Sequence, residues 1–323
     1  MNHQKADLYL EILHSIDFQK IKDHPNILIA AAFWDAERYG AACTAYKFMR
    51  SVDDLIDNYK AEHNSIGKTE QAGFETCVRD WLERIKNRED QTPEEDMLTA
   101  TWKKFLMPDW PVESFARSMI YDIHHNGFPT FKDFLEYAEG ACVAPAGIFV
   151  HLCGLREENG HYLPPVFDVR RAARPCAVFS YLVHIIRDFQ KDRLNHLNYF
   201  PARLLEKYNL SADILDDMAH GGPVAPGFRS LVRFYMDQAD KYREETRDMI
   251  REISPLLDER YRLSLSIIFD LYQMVYNRID PENGIFTTEA LNPTADQVRS
   301  RVLMTVESFD YNPMKTKGSA FLK

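Results

Sequence analysis

The chain reads as a series of apolar stripes at helical spacing, separated by short polar breaks. Apolar residues at three- and four-residue intervals predict helices over residues 5–16, 26–49 running on to about 60, 71–88, 93–106, 112–126, 131–154, 166–194, 227–252, 256–279 and 294–308. Alternating strand patterns are scarce. The breaks carry turn chemistry: Pro108 and Pro111, Gly127-Phe128-Pro129-Thr130, Gly160, Pro164-Pro165, Gly221-Gly222-Pro223, and Pro281 to Gly284. Thr130 followed by Asp133 predicts a helix start capped by a hydroxyl and an acidic partner three residues on. No repeat or Gly/Ser linker divides the chain. The pattern predicts a single all-α domain over residues 1–323, with its core at about 20–290.

Two acidic ladders interrupt this pattern. Asp53-Asp54-Leu55-Ile56-Asp57 follows Ala30-Ala31-Ala32-Phe33-Trp34 and Tyr46-Lys47-Phe48-Met49. Arg187-Asp188-Phe189-Gln190-Lys191-Asp192 follows Ala177-Val178-Phe179-Ser180-Tyr181-Leu182-Val183. Aspartates four residues apart share one face of an α-helix, one turn above the other. A single pair of this kind is usually a solvated face. Two pairs, each ending an apolar helix and each near an arginine (Arg50 or Arg187), suggest chemistry. Paired carboxylates suit Mg²⁺, which typically takes one or two of them plus substrate phosphate oxygens and water. The arginines match phosphate oxygens in bidentate geometry, and the apolar helix faces would enclose a hydrocarbon. Together these features describe a prenyl diphosphate ionised to an allylic cation in a dry pocket. An Asp–Arg ion-pair network between helices is the plainer alternative.

Composition narrows the picture. The chain has 323 residues and a net charge of −10, with 49 acidic against 39 basic residues. That balance argues against a nucleic-acid surface and against a polybasic membrane anchor. The polar start, Met1-Asn2-His3-Gln4-Lys5, shows no signal-peptide pattern. The longest apolar run, Ile27 to Trp34, falls far short of the roughly 20 residues that span a bilayer. The five cysteines are scattered and lack CxxC spacing, as expected for free thiols in a reducing cytoplasm. His124-His125 and His151 lack an HExxH or Cys/His context and are expected at the surface or in the core. No GxGxxG occurs among the 13 glycines, so no Rossmann nicotinamide site is expected. Phe33, Trp34, Phe48, Phe149 and Phe179 suit either a carbocation-facing wall or plain core.

At these residues the chain resembles the squalene/phytoene synthase family, the head-to-head prenyl synthases, from about residue 20 to 290. Tyr46 to Arg50 and then Asp53 to Asp57 look like its first aspartate motif. Tyr121-Asp122-Ile123, Phe128, Thr130 and Phe134-Leu135-Glu136-Tyr137 are similar to its central segment. Gly140 to Gly147 sits where the family breaks a helix. Ile185-Ile186-Arg187-Asp188, Asp192 and Tyr199-Phe200-Pro201 resemble the second motif and its tail. Leu271-Tyr272 and Arg278-Ile279 look like the last core helix.

The resemblance implies an isoprenoid-synthase helical bundle with a central cavity and a cluster of Mg²⁺ ions, with Mn²⁺ a second candidate. Two prenyl diphosphates, farnesyl or geranylgeranyl, would condense through a cyclopropylcarbinyl diphosphate to squalene, dehydrosqualene or phytoene. Carried over residue by residue, Asp53, Asp57, Asp188 and Asp192 bridge metal; Arg50, Arg187 and Tyr199 contact diphosphate; Tyr46 lines the site near the first cation. NADPH stays open, because squalene-forming members bind it without a Rossmann fold. So greasy a product suggests transient peripheral contact with a bilayer. Pro145, in the low-bulk stretch Ala141 to Ala146, suggests a substrate channel beside a kink, with core packing as the alternative.

The chain also departs from the family. Tyr181 and His184 stand where the second motif usually has Gln and Asn. His184, Asp188 and Asp192 are spaced i, i+4, i+8, so one helical stripe is expected to turn the imidazole toward the metal site. The histidine would serve as a proton acceptor or diphosphate donor, or it would only hydrogen-bond a carboxylate or pack. Pro25-Asn26-Ile27 replaces the family's Ser-Phe-Ser, and Leu197 replaces an arginine before Tyr199. The altered motif keeps open a cyclase that ionises one prenyl diphosphate. A non-catalytic assembly factor or lipid carrier is the reading from a different class, and the retained aspartates argue against it.

Overall fold

A computed structural model describes residues 2–20, 26–63, 65–87 and 93–311. The periodicity becomes α1 (Asn2–Ser15), α2 (Asn26–Ala31), α3 (Ala36–His63), α4 (Lys68–Asn87), α5 (Pro93–Lys104) and α6 (Trp110–His124). Then come α7 (Phe131–Ala138), a single π-helical turn (Glu139–Val143), α8 (Ala144–Gly154) and the hairpin β1 (Arg156–Glu158) and β2 (His161–Leu163). The second half holds α9 (Val169–Arg187), α10 (Phe189–Leu194), α11 (Ala202–Lys207), α12 (Ala212–Ala219), α13 (Pro226–Ile253), a 3₁₀ turn (Ser254–Leu256), α14 (Glu259–Tyr276), α15 (Thr288–Leu291) and α16 (Ala295–Ser308). The fold is all-α, as expected. Thr130 and Asp133 form the expected reciprocal cap: Thr130 Oγ1 accepts from Asp133 N–H at 3.2 Å, and Asp133 Oδ2 accepts from Thr130 N–H at 2.9 Å. Pro25 lies outside the described residues.

Two long helices expected to be continuous are broken, and a third is irregular where a kink was expected. The helix expected from residue 26 to about 60 turns between Ala31 and Ala36. Phe33 and Trp34 are buried in that turn, where Trp34 Nε1–H donates to Ser264 Oγ at 2.8 Å and the indole meets Phe149 at 4.6 Å. Burying two aromatic rings outweighs one lost turn of helix. Asp35 then restarts the chain, its Oδ1 accepting from Arg38 N–H at 2.9 Å.

The helix expected over 131–154 contains the π turn. Pro145 has no N–H to continue the ladder there. Ser118 Oγ–H donates to Tyr137 O at 2.7 Å beside the turn. Gly140 makes the close crossing of α6 feasible: a Cβ on it would lie 2.0 Å from Ser114 O. The helix expected over 166–194 starts later, at the Asp168 cap, and ends at Arg187. Asp188 adopts φ −94°, ψ 2°, outside the helical range, before α10 resumes.

The apolar core has two lobes. One gathers around Phe33, Trp102 and Met119; the other around Phe134, Phe179, Phe228 and Tyr235. A cavity runs where they meet, walled by α2, α3, α6, the π turn, α8, α9, α10, α14 and α15. Among the described residues no helix is long and apolar enough to cross a membrane.

The Gly140 contact generates a stability prediction. Gly140→Ala is expected to cost roughly 1–3 kcal/mol through overpacking against α6. A lower urea midpoint at unchanged slope is the expected readout; an unshifted midpoint would show that the crossing tolerates a methyl group.

Candidate active site

The cavity holds about 580 Å³. Its apolar wall comes from α3 (Ala45, Met49), α6 (Phe115), α8 (Ile148, Phe149) and α14 (Ile268). Ala141, Cys142, Pro145 and Ala146 also line it, so the low-bulk stretch does face the channel. Its charged lining groups come from the two ladders: Arg50 and Asp53 on α3, with Arg187, Asp188 and Lys191 around the α9–α10 bend. Tyr46, Tyr181 and His184 line it too. A second cleft, of about 760 Å³, is walled by Arg170, Arg171, Arg174 and Glu139 and contains neither ladder. Its arginines are already paired: Arg171 and Glu252 at 2.8 Å, Arg174 and Glu139 at 2.6 Å. The first cavity, which both ladders line, is therefore the candidate site.

The ladders are paired differently. Arg50 lies 3.3 Å from Asp53 and 2.6 Å from Asp54, reaching both from one turn back on α3. Arg187 grips Asp188 with a fork: Nε to Oδ1 at 2.7 Å and Nη2 to Oδ2 at 2.6 Å. These ion pairs form within each ladder, in place of the inter-helix network weighed above. Burial pushes the Asp188 carboxyl up, but the Arg187 fork outweighs it and holds the group below its ordinary range. Arg187 is 5 % exposed. Among the described residues its Nη1 is a buried donor without an acceptor, on a residue that lines the cavity.

The remaining carboxylates are under-neutralised. Asp53 is raised by burial and then by Asp57; Asp57 by burial and then by Asp122. Asp192 is pushed up to about 8 by burial, then by Asp188 and Asp57. That Asp57 helps to raise Asp192 puts the two ladders within electrostatic reach of each other. Asp192 itself lies with Tyr199 in a narrow recess, while His184 and Asp188 line the main cavity. The bend at Asp188 thus splits the single stripe expected for these three residues. Tyr199 is raised well above its ordinary range, by burial and then by Asp57, so its phenol stays protonated as a donor. The His184 ring meets Tyr272 edge-on at 4.9 Å.

Hard carboxylate oxygens with raised proton affinity fit a hard divalent cation, which would take the place of the missing neutralising charge. Among the described residues no three His, Cys, Asp or Glu side chains close on one point. Carboxylates presented in pairs from two sides suit ions whose remaining ligands are substrate oxygens and water.

The resemblance singled out Asp122 and Tyr137, but sequence reasoning missed Lys60 and the buried triad that the three form beside the first ladder. Lys60 is 5 % exposed; its Nζ donates to His125 O at 3.0 Å and lies 3.6 Å from Asp122 Oδ1. Tyr137 donates its phenol to Asp122 Oδ2 at 2.5 Å. Asp122 is still pushed up to about 6, by burial against the pull of Lys60. Lys60 sits one turn beyond Asp57 in Asn58-Tyr59-Lys60-Ala61-Glu62, a stretch that reads as a solvated helix end. Its (i, i+3) spacing from Asp57 was the only signal. Tyr181, the residue in the family's glutamine position, joins a ring cluster with Phe134 at 5.5 Å and Tyr199 at 6.3 Å. The three histidines set aside above bond to Glu75 (His124), Tyr121 O (His125) and Phe105 O (His151).

An all-α bundle around an apolar cavity, closed at one end by paired aspartates and arginines, is the architecture of a prenyl synthase. The family model of squalene/phytoene synthase matches residues 22–301, and the chain belongs to that family; it is a prenyltransferase of this type. Its fold is similar to a solved dehydrosqualene synthase in complex with a ligand, at TM-score 0.65 and 18 % identity over 95 % of this chain and 99 % of that one. It is also similar to the squalene synthase HpnC from Alicyclobacillus acidocaldarius, at TM-score 0.61 and 15 % identity over 84 % of this chain and 93 % of that one. No curated protein matches the sequence.

The raised Asp192 has a consequence for stability. An unfolded aspartate titrates near 3.9, so the folded chain binds this proton more tightly than the unfolded one. The stability it contributes is complete below about pH 4 and is lost as the pH rises through about 8. Without divalent metal, Asp192→Asn is therefore expected to melt higher than the parent, with a gap that widens from about pH 5 to about pH 8.5. Melting curves in chelator at both values check this; a constant gap would contradict it.

Proposed function

We propose that the protein condenses two prenyl diphosphates head to head, through a cyclopropylcarbinyl diphosphate, to squalene, dehydrosqualene or phytoene. One observation carries this reading: a single apolar cavity gathers at its charged end one aspartate from each ladder, Asp53 and Asp188, together with the unsatisfied Arg187 donor. The diphosphate lies at that end and the hydrocarbon fills the rest. Arg187 Nη1 takes a diphosphate oxygen while its fork keeps Asp188 ionised. Tyr199 offers a neutral phenol to the same group, and Arg50 adds charge from α3. Asp53, Asp57, Asp188 and Asp192 would hold Mg²⁺ or Mn²⁺. When bound, these ions neutralise the charge that develops on the leaving diphosphate.

Walls such as Met49, Phe115 and Phe149 exclude water, so the allylic cation is not quenched as an alcohol. Tyr46 lines the cavity one turn before Arg50, next to the forming cation. The first coupling releases one diphosphate and one proton. His184, on the cavity wall one turn before Asp188, accepts that proton. A cyclase acting on one prenyl diphosphate is the second reading, favoured by Tyr181 and His184 in positions where the family has amides.

Incubation with farnesyl or geranylgeranyl diphosphate and Mg²⁺, with and without NADPH, followed by mass spectrometry of the hydrocarbons, tests the proposal. Twice the substrate carbon count is expected; a cyclic product of equal carbon count would establish the cyclase. NADPH dependence of the product separates reductive from non-reductive termination. Asp53→Asn and Asp188→Asn are each expected to cut turnover by on the order of a hundredfold or more while the protein stays folded. Near-parental activity in either variant would sink the metal assignment. His184→Asn restores the family's amide and is expected to slow turnover by on the order of a hundredfold; parental rate and product would remove any special role for the imidazole.

A further inference from the structure

Gln190 stands inside the second ladder, between Asp188 and Asp192, yet both ends of its side-chain amide bond to remote segments. Nε2 donates to Ala219 O at 3.0 Å, at the end of α12. Oε1 accepts from Thr288 N–H at 2.9 Å, at the start of α15. One half-buried side chain thus ties α10 to two segments that follow it by 29 and 98 residues.

The tethered α15 reaches the cavity. Thr288 and Asn292 both line it, together with Asp188 and Lys191 of the charged end. Asn292 Nδ2 donates to Thr288 O at 3.0 Å and braces the short helix from inside. Thr287 caps the same turn, its Oγ1 accepting from Ala290 N–H at 3.3 Å. Thr288 is half-buried and lines the cavity, and its hydroxyl forms no hydrogen bond among the described residues.

We propose that residues 285–292 form a wall of the diphosphate end, that the Thr288 hydroxyl donates to a diphosphate oxygen, and that Gln190 is the positioning residue that holds it there. The identity of the ligand rests on the prenyl diphosphate reading; the clamp itself does not. The chemistry suits the place. Arg50 and one edge of the Arg187 guanidinium are already engaged by their own aspartates. A hydroxyl adds a donor without adding charge. Gln190 connects this donor to the segment that carries Asp188 and Asp192, so the wall and the ladder keep one relative position.

Two measurements on the full chain test this. Hydrogen–deuterium exchange without ligand reads the clamp. Gln190→Leu is expected to speed exchange at the Thr288 amide and across 285–292 by about tenfold or more, with α9 still protected. Unchanged exchange in the strap overturns the clamp. Steady-state kinetics reads the contact. Thr288→Val and Gln190→Leu are each expected to raise KM for the prenyl diphosphate about two- to tenfold with kcat nearly kept, and the double variant to match Gln190→Leu alone. Parental KM in Thr288→Val, or fully additive effects, overturns the contact. A parent protein inert toward every prenyl diphosphate removes the proposed function and the contact with it, and the exchange data still decide the clamp.

Discussion

Excess negative charge at one end of an apolar cavity is the constraint on which the site depends. Asp53, Asp57, Asp122 and Asp192 are all raised by burial and by other carboxylates, and Asp188 alone is held down by a fork from Arg187. Such an arrangement works against folding, because each carboxylate must either keep a proton or repel its neighbours. The two apolar lobes offset it, with rings such as Trp102, Phe134 and Tyr235 fully buried. The repulsion is concentrated where a cation and a diphosphate are proposed to bind, which links the cost of the cluster to the proposed activity.

The breaks in the long helices are the second determinant. An unbroken helix over 166–194 would carry Asp188 and Asp192 along one straight face. The bend at Asp188 instead separates them into a cavity and a neighbouring recess, and it puts Arg187 where its fork closes on Asp188. The π turn at Glu139–Val143, packed against α9, works similarly. Gly140 permits the approach to α6, while Ala141, Cys142, Pro145 and Ala146 face the channel. Local irregularity is concentrated where the substrate would pass, as is common for π turns at functional sites.

Behind the first ladder, the Lys60–Asp122–Tyr137 triad shows how the site is supported. Lys60 partly neutralises a carboxylate that would otherwise add to the charge facing Asp53 and Asp57. Tyr137 spends its hydroxyl on the same Asp122 and packs its ring toward Tyr181, 6.5 Å away. Tyr181 thus belongs to an aromatic layer that continues to Tyr199, an arrangement with no counterpart in the amide the family usually carries there.

Much of this was legible along the chain. Helical periodicity located most of the longer helices, and the (i, i+4) spacing of Asp53/Asp57 and Asp188/Asp192 singled out carboxylates that act on one another electrostatically in the fold. The Thr130–Asp133 cap was readable because its partners are three residues apart. What escaped depends on partners far away in sequence. Phe33 and Trp34 break a helix because Ser264 and Phe149 receive them. Lys60 looks solvated until α6 brings Asp122 and His125 O against it. Gln190 looks like a spacer between two aspartates until α12 and α15 arrive at its amide. The sequence by itself determined the class of fold and the carboxylate chemistry, because periodicity and ladder spacing act within one or two helical turns. Only the tertiary structure decided where the helices bend, which carboxylates are neutralised and which segments close the cavity, because burial and long-range contact set those terms.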